Sequence, residues 1–271
     1  MSAKWDDPAV FAELEQIERD AQCVLCVSAR DLGAGQALRY NSGRKCKTAS
    51  TIKLPMLAHF AMSVAEGKRS WSETLTLTEA EKVAGSGVLT QMTAGLQLTL
   101  RDVCVLMTIV SDNTATNMLI ELEGVGPINA RLRSLGLPLT TLFRKSYTPD
   151  TEESREFGLG MTTPDEMAEL VQMLAEGRVG GAAVSEEILG ILAGQCLRDS
   201  IPRGLPEEWS YAGKTGGVDG VRNDVGLVTA PDGSRYALAI YCQDLRDLRW
   251  SLENAGLVAI GRVARALLPA G

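Results

Sequence analysis

Strand-like patterns stand near both ends of this chain and helical patterns fill its middle, and that order limits the fold more than any other feature. Residues 24–29 and 36–41 read as two strands joined by a hairpin turn at Gly33-Ala34-Gly35. Helical segments dominate from 51 to about 195, with Thr163-Pro164 and Ser185 as helix starts. Strand patterns return near 210–214, 222–230 and 235–242, the last two joined by the turn signal Pro231-Asp232-Gly233-Ser234. A helix over 9–20, capped by Asp7 with Pro8 at its first position, opens the chain, and a long helix over about 248–268 closes it. Strands so far apart in sequence imply one antiparallel sheet built from distant segments, in a protein that mixes sheet and helix. There is no internal repeat and no low-complexity linker.

Three short polar motifs punctuate this frame. The first is Ser50-Thr51-Ile52-Lys53, ahead of an apolar stretch long enough for a buried helix. Ser50 at the start of that helix puts Lys53 one turn on and on the same face, which brings an amine within hydrogen-bond reach of a hydroxyl. A partly desolvated lysine beside other positive groups has a lowered pKa and can act as a base. A helix N-terminus also favours a developing oxyanion. In isolation, a motif of this kind reads as an N-cap serine with an exposed lysine.

The second motif, Ser111-Asp112-Asn113, closes an amphipathic segment over 98–111 and precedes another over 114–122. Alone it is a tight corner with Asp112 or Asn113 capping the next helix. In an active site, Ser111 serves as a proton shuttle, Asn113 hydrogen-bonds a substrate amide or Lys53, and Asp112 holds the corner. The third, Lys214-Thr215-Gly216, lies before a strand over 225–229. Lys214 offers a fixed positive charge, Thr215 a hydroxyl for a substrate carboxylate, and Gly216 close approach of a strand edge. Backbone N–H groups there, with that of Ser50, form an oxyanion hole. Alone, the third motif is a strand ending in a turn. Together the three describe a serine acyl-transfer enzyme.

In this order and spacing the motifs resemble those of class A β-lactamases and penicillin-binding proteins. The resemblance runs from Val10 to Leu268 and includes Leu98-Thr-Leu-Arg-Asp-Val-Cys, Ser111-Asp-Asn-Thr-Ala-Thr-Asn-Met-Leu-Ile and Thr162-Thr-Pro-Asp-Glu-Met-Ala. It implies an α/β domain from both termini (1–51 and 196–271), an all-α domain inserted over 52–195, and an active site in the cleft between them. It implies Ser50 as nucleophile, Lys53 as general base, Ser111 as proton relay and Lys214 with Thr215 as carboxylate binder. Arg222 falls close to where such enzymes often place a second carboxylate-binding arginine; otherwise it is a solvent-exposed strand arginine. The implied partner is a small molecule carrying a carboxylate.

One departure stands out. The family carries a loop glutamate, in a Glu-x-x-Leu-Asn stretch, that activates the deacylating water. No such stretch occurs before Thr162. If Arg144 matches the family's loop arginine, the glutamate's place falls on Ser146, while Asp150, Glu152, Glu153 and Glu156 read as solvated loop charges. Three readings follow: a β-lactam-reactive serine hydrolase that turns over slowly, an esterase, amidase or peptidase-like enzyme in which Lys53 serves both half-reactions, or a binder that has lost turnover. An activated nucleophile argues against the third.

A formal net charge of −7 argues against a general nucleic-acid binder, although Lys53, Lys214 and Arg222 concentrate positive charge locally. No segment approaches the roughly 20 apolar residues of a membrane span. No secretory leader precedes the first helix, which points to the cytoplasm, or to the periplasm or exterior if a leader has been removed. The six cysteines read as reduced, and most of them as buried. By resemblance, Cys104 takes one position of a disulfide found in many relatives, but Leu57 takes the other. His59, the only histidine, reads as a core or helix-surface residue. No zinc set is complete and no nucleotide or flavin motif is present, so no metal or cofactor is expected. The oligomeric state is left open.

Overall fold

The computed structural model describes residues 5–268. Helix α1 (Pro8–Ala21) starts where Asp7 accepts the Ala9 N–H at 2.9 Å, and it buries Leu14, Ile17 and Ala21. Strands β1 (Val24–Asp31) and β2 (Gln36–Tyr40) form the expected hairpin. Its turn is held by Asp31 Oδ1, which accepts the N–H groups of Gly33 and Ala34, and Gly35 takes the left-handed φ of +68° that closes it. After β3 (Cys46–Lys47) and a 3₁₀ turn (Ala49–Ile52) comes α2 (Lys53–Ala65). Most of α2 is buried on every side, as befits a helix that is apolar all round.

The middle of the chain holds β4 (Thr74–Thr76), β5 (Gln97–Thr99), α3 (Leu100–Ile109), α4 (Asn113–Glu123), α5 (Val125–Ser134), β6 (Thr141–Leu142), α6 (Ser154–Phe157), β7 (Gly160–Thr162), α7 (Pro164–Ala175) and α8 (Ala182–Ala193). The last part returns to β8 (Ser210–Val218), β9 (Val221–Thr229), β10 (Arg235–Gln243) and α9 (Ala255–Leu267). One five-stranded sheet has the order β2-β1-β10-β9-β8, antiparallel throughout, with β8 at an edge. It is the single sheet from distant segments that the sequence implies, flanked by helices on both faces. On one face α1 and α9 enclose a core with Leu25, Val27, Val228, Leu238 and Ile240. On the other, the buried residues of α2, α3, α4, α7 and α8 pack continuously with Cys26, Val225, Leu227 and Tyr241.

Several local expectations are corrected. Leu98 belongs to β5 rather than to a helix: Thr99 caps α3 by accepting the Asp102 N–H, and Asp102 accepts the Thr99 N–H in return. Helix α8 opens at Ala182, after two glycines with positive φ, and Ser185 lies inside it, bonded through Oγ to the backbone of Val179. Residues 248–254 are not helical, because Asn254 caps α9 and Asp247 Oδ2 holds the Ala255 N–H at 2.8 Å. A small sheet, β3-β7-β6, is formed by strands too short to show a sequence period. His59 is a core histidine, its Nε2 3.3 Å from Glu123 Oε1 and its ring edge-on to Phe60. Burial lowers its pKa, so the ring is neutral around pH 7. All six cysteines are unbridged; Cys196 is exposed and Cys23 half-buried.

Candidate active site

Ser50 sits on a turn stitched down from several sides. The Thr48 N–H donates to Gly160 O at 2.9 Å, and Ala49 then turns the chain at a φ of +45°, an unusual conformation for a residue with a Cβ. Thr51 Oγ1 bonds Thr48 O at 2.8 Å and the Tyr241 hydroxyl at 3.0 Å. Asn223 Nδ2 donates to Lys47 O at 2.9 Å and Thr48 O at 3.1 Å, while its Oδ1 accepts from Gln243 at 2.9 Å. Backbone strain held by so many bonds is typical of a functional position. Ser50 itself is half-buried, and its Oγ makes no hydrogen bond among the described residues. Its N–H belongs to the first turn of the 3₁₀ segment, where donors lack an internal partner.

Lys53 is fully buried, and its amine is engaged differently from the expectation. Nζ donates to Ser111 O at 2.7 Å, Asn113 Oδ1 at 2.9 Å and Ser111 Oγ at 3.2 Å, with no bond to Ser50 Oγ. The physical reason is that the amine finds several acceptors together on one corner, Ser111 O, Ser111 Oγ and Asn113 Oδ1, which the Ser50 hydroxyl alone cannot supply. Burial, and then the charge of Lys214, hold the Lys53 pKa well below that of a free lysine, with Asp112 opposing.

The corner itself is strained and pinned. Ser111 has a φ of +56° and is buried. Asp112 caps α4 by accepting the Ala115 N–H at 2.9 Å, and its other oxygen accepts Val88 N–H at 2.6 Å and Leu89 N–H at 2.8 Å. Asp112 thus ties the 84–89 loop to the corner, assisted by Asn113, whose N–H reaches Ser86 O and whose Nδ2 reaches Ala84 O. Asp112→Ala leaves two buried donors, the N–H groups of Ala115 and Leu89, and the partly buried Val88 N–H without their acceptor. Its stability is expected to fall by about 2–4 kcal/mol, read from the urea midpoint. A midpoint that does not move contradicts this role.

Lys214 and Gly216 lie on the β8 edge strand. The Lys214 side chain is buried, with Nζ donating to Thr215 O at 2.9 Å. Burial lowers its pKa to about 7, against the pull of Asp224. A Cβ on Gly216 would stand 2.7 Å from Thr48 O and 3.0 Å from the N atoms of Ser50 and Thr51, so only glycine lets β8 pass this close to the serine. Asp224, opposite Thr215 in the β8–β9 register, is buried and accepts from Ser200 Oγ, the Tyr211 hydroxyl and the Ile201 N–H. Burial raises its pKa.

Arg222 is not the solvent-exposed strand arginine that the sequence left as one option. It is buried, its Nη1 donates to Val218 O and Val221 O, its Nη2 donates to Arg249 O, and its guanidinium lies 4.3 Å from the Trp250 ring centre. It forms part of the cleft wall with most of its donors already committed.

Two cavities meet at Ser50. One, of about 310 Å³, is lined by Ser111, Thr215, Gly216 and Arg222 among others. The second, of about 860 Å³, is lined by Asn113 and the segment 144–159. Ser146 in that segment is locked by Asn117, which donates to Ser146 O at 2.9 Å and accepts its N–H at 2.8 Å. Asp150 pairs with Arg144 at 2.8 Å, and Glu156 faces the larger cavity. Asn117, Asn223 and Asp224 have no signal in the sequence reading, because each acts on a partner remote in the chain. Among the described residues there is no cluster of three or more potential metal ligands and no helix long and apolar enough to cross a membrane.

Comparison with known proteins shows the family and the fold. A model of the β-lactamase enzyme family matches residues 9–270. The crystal structure of a β-lactamase from Sphaerobacter thermophilus is 34% identical and superposes with a TM-score of 0.86, covering 96% of this chain and 98% of that one. PBP-A is 26% identical with a TM-score of 0.79, covering 94% of both chains, and a point mutant of it has been solved as an acyl-enzyme complex with penicillin G. A β-lactamase from Streptomyces cellulosae is 28% identical over 243 residues, 86% of this chain and 76% of that one. The chain belongs to the β-lactamase enzyme family and is a serine hydrolase of that family.

Proposed function

We propose that this enzyme opens β-lactams through an acyl-enzyme on Ser50 and hydrolyses that intermediate slowly. The observation that carries the reading is the hydrogen-bonded Lys53–Ser111 pair at the mouth of which Ser50 stands with a free hydroxyl. Neutral Lys53 takes the Ser50 proton as Oγ attacks the lactam carbonyl. The oxyanion faces the N–H of Ser50 and the backbone of β8. Ser111, bonded to Lys53, passes the proton to the leaving nitrogen. Thr215 and the charge of Lys214 beneath it hold the substrate carboxylate, and Asn113 keeps Lys53 in place while offering its amide to the acyl group. Arg222 supports this end of the cleft. The six unbridged cysteines suit a reducing, cytoplasmic setting.

The slow second step follows from Ser146. With Arg144 taken as the family's loop arginine, the resemblance puts the water-activating glutamate's place on Ser146, whose backbone is fixed by Asn117. A chromogenic cephalosporin is expected to give a burst of colour equal to the enzyme present, followed by a slow steady phase. No colour at all overturns the assignment. In Ser146→Glu, the steady phase is expected to accelerate by on the order of 10² with the burst retained, the range for a placed general base. An unaccelerated steady phase in a folded variant would mean that another group, Lys53 foremost, serves deacylation.

A further inference from the structure

The two cavities that meet at Ser50 share Ser86, Gly217 and Trp250 and differ in the rest of their walls. Ser111 and Thr215 line only the smaller one, and Ser146 lines only the larger. On the proposed chemistry, Ser111 delivers a proton to the leaving nitrogen and Thr215 takes the carboxylate. The smaller cavity therefore receives the leaving side of the scissile bond, and the larger receives the acyl side.

Leu197, Leu252 and Leu257 close the smaller cavity, and Trp250 stands at its boundary with the larger one, lining both. Three of these are large apolar side chains left open to solvent, with Trp250 69% exposed and Leu252 59%. An indole so exposed is commonly free to reorient, but this one is fixed. The Arg222 guanidinium stacks on it, anchored in turn to three backbone carbonyls. The indole Nε1 donates to Asp219 Oδ1 at 3.1 Å. A rigid, uncovered aromatic face costs little entropy to use, and apolar walls continuous with a polar reaction centre are the usual make-up of a ligand site.

We propose that this cavity is a subsite for a flat apolar group, an aromatic or conjugated substituent, carried on the leaving side of the substrate near its carboxylate. Trp250 is the stacking face and Leu197 and Leu252 are the lateral walls. This assignment of sides rests on the roles given above to Ser111 and Thr215. Trp250 determines specificity and does not touch the reacting atoms. The larger cavity remains for the acyl side chain.

The test uses two cephalosporins with the same acyl side chain, one with a dinitrostyryl group and one with a methyl group on the leaving side. In Trp250→Ala, the second-order acylation rate with the dinitrostyryl compound is expected to fall about three- to tenfold, the worth of one aromatic stack. The methyl compound is expected to change by less than about twofold, and Trp250→Phe is expected to recover most of the loss. Equal losses for the two compounds, or no loss for either, overturn the subsite. Binding of both compounds to Ser50→Ala, with and without Trp250→Ala, separates this inference from the hydrolase reading. If native protein is acylated by neither compound but the preference for dinitrostyryl binding depends on Trp250, the subsite stands and the hydrolase reading falls. If acylation proceeds and binding shows no such dependence, the subsite falls alone.

Discussion

Ser50→Ala is expected to abolish covalent labelling by penicillins and cephalosporins while leaving the fold intact. The labelling follows from chemistry: among the described residues Ser50 and Ser86 are the serines that line both cavities, and of the two Ser50 has the lysine one helical turn away. Ser111 also lines the cleft, but it is buried and its Oγ already accepts from Lys53. The intact fold follows from packing. Ser50 Oγ has no hydrogen-bond partner among the described residues and Ser50 is half-buried, so its removal orphans nothing. The turn is held by Thr51, Tyr241 and Asn223. A melting temperature within a degree or two of native is expected, equivalent to a change within about 0.5 kcal/mol. Labelling that persists in a folded Ser50→Ala protein removes Ser50 as nucleophile.

Lys53→Ala should lower the acylation rate by on the order of 10² or more, the contribution of a general base. The pH dependence gives this prediction its sign. Lys53 accepts a proton only when neutral, so its contribution grows as pH rises through its depressed pKa. Lys214 attracts a carboxylate only when charged, so its contribution is lost as pH rises through a value of about 7 in the free enzyme. With a carboxylate-bearing substrate the acylation efficiency is therefore bell-shaped. In Lys53→Ala the acidic limb should flatten while the alkaline limb remains. A stopped-flow series across pH reads both limbs, and an unchanged rate with an unchanged acidic limb means another group activates Ser50.

Much of the frame is legible in local sequence because its signals are local. Asp7-Pro8 sets the start of α1, Asp31 with Gly35 sets the first hairpin, and Thr163-Pro164 sets α7. The three motifs converge because each marks a change of element: a turn before a buried helix, a corner between helices, and a strand edge against the turn. What local sequence could not supply depends on partners far along the chain. Arg222 has the same strand environment whether it is exposed or buried; Trp250 and the carbonyl of Arg249 decide the matter from a later loop. That loop, in turn, mimics a helix through the apolar residues Leu248 and Leu252, until Asp247 and Asn254 impose a later start. The motif spacing points the Lys53 amine at the Ser50 hydroxyl, yet its bonds go to Ser111 and Asn113, since its choice of acceptor is a tertiary matter.

Intact-mass spectrometry of the native enzyme mixed with a chromogenic cephalosporin, sampled over time beside the absorbance, bears most directly on the acyl-enzyme claim. The account predicts an adduct that forms during the colour burst, maps to the peptide containing Ser50, and decays at the rate of the slow steady phase. A steady phase with no adduct at any time, or an adduct that maps elsewhere, would contradict it.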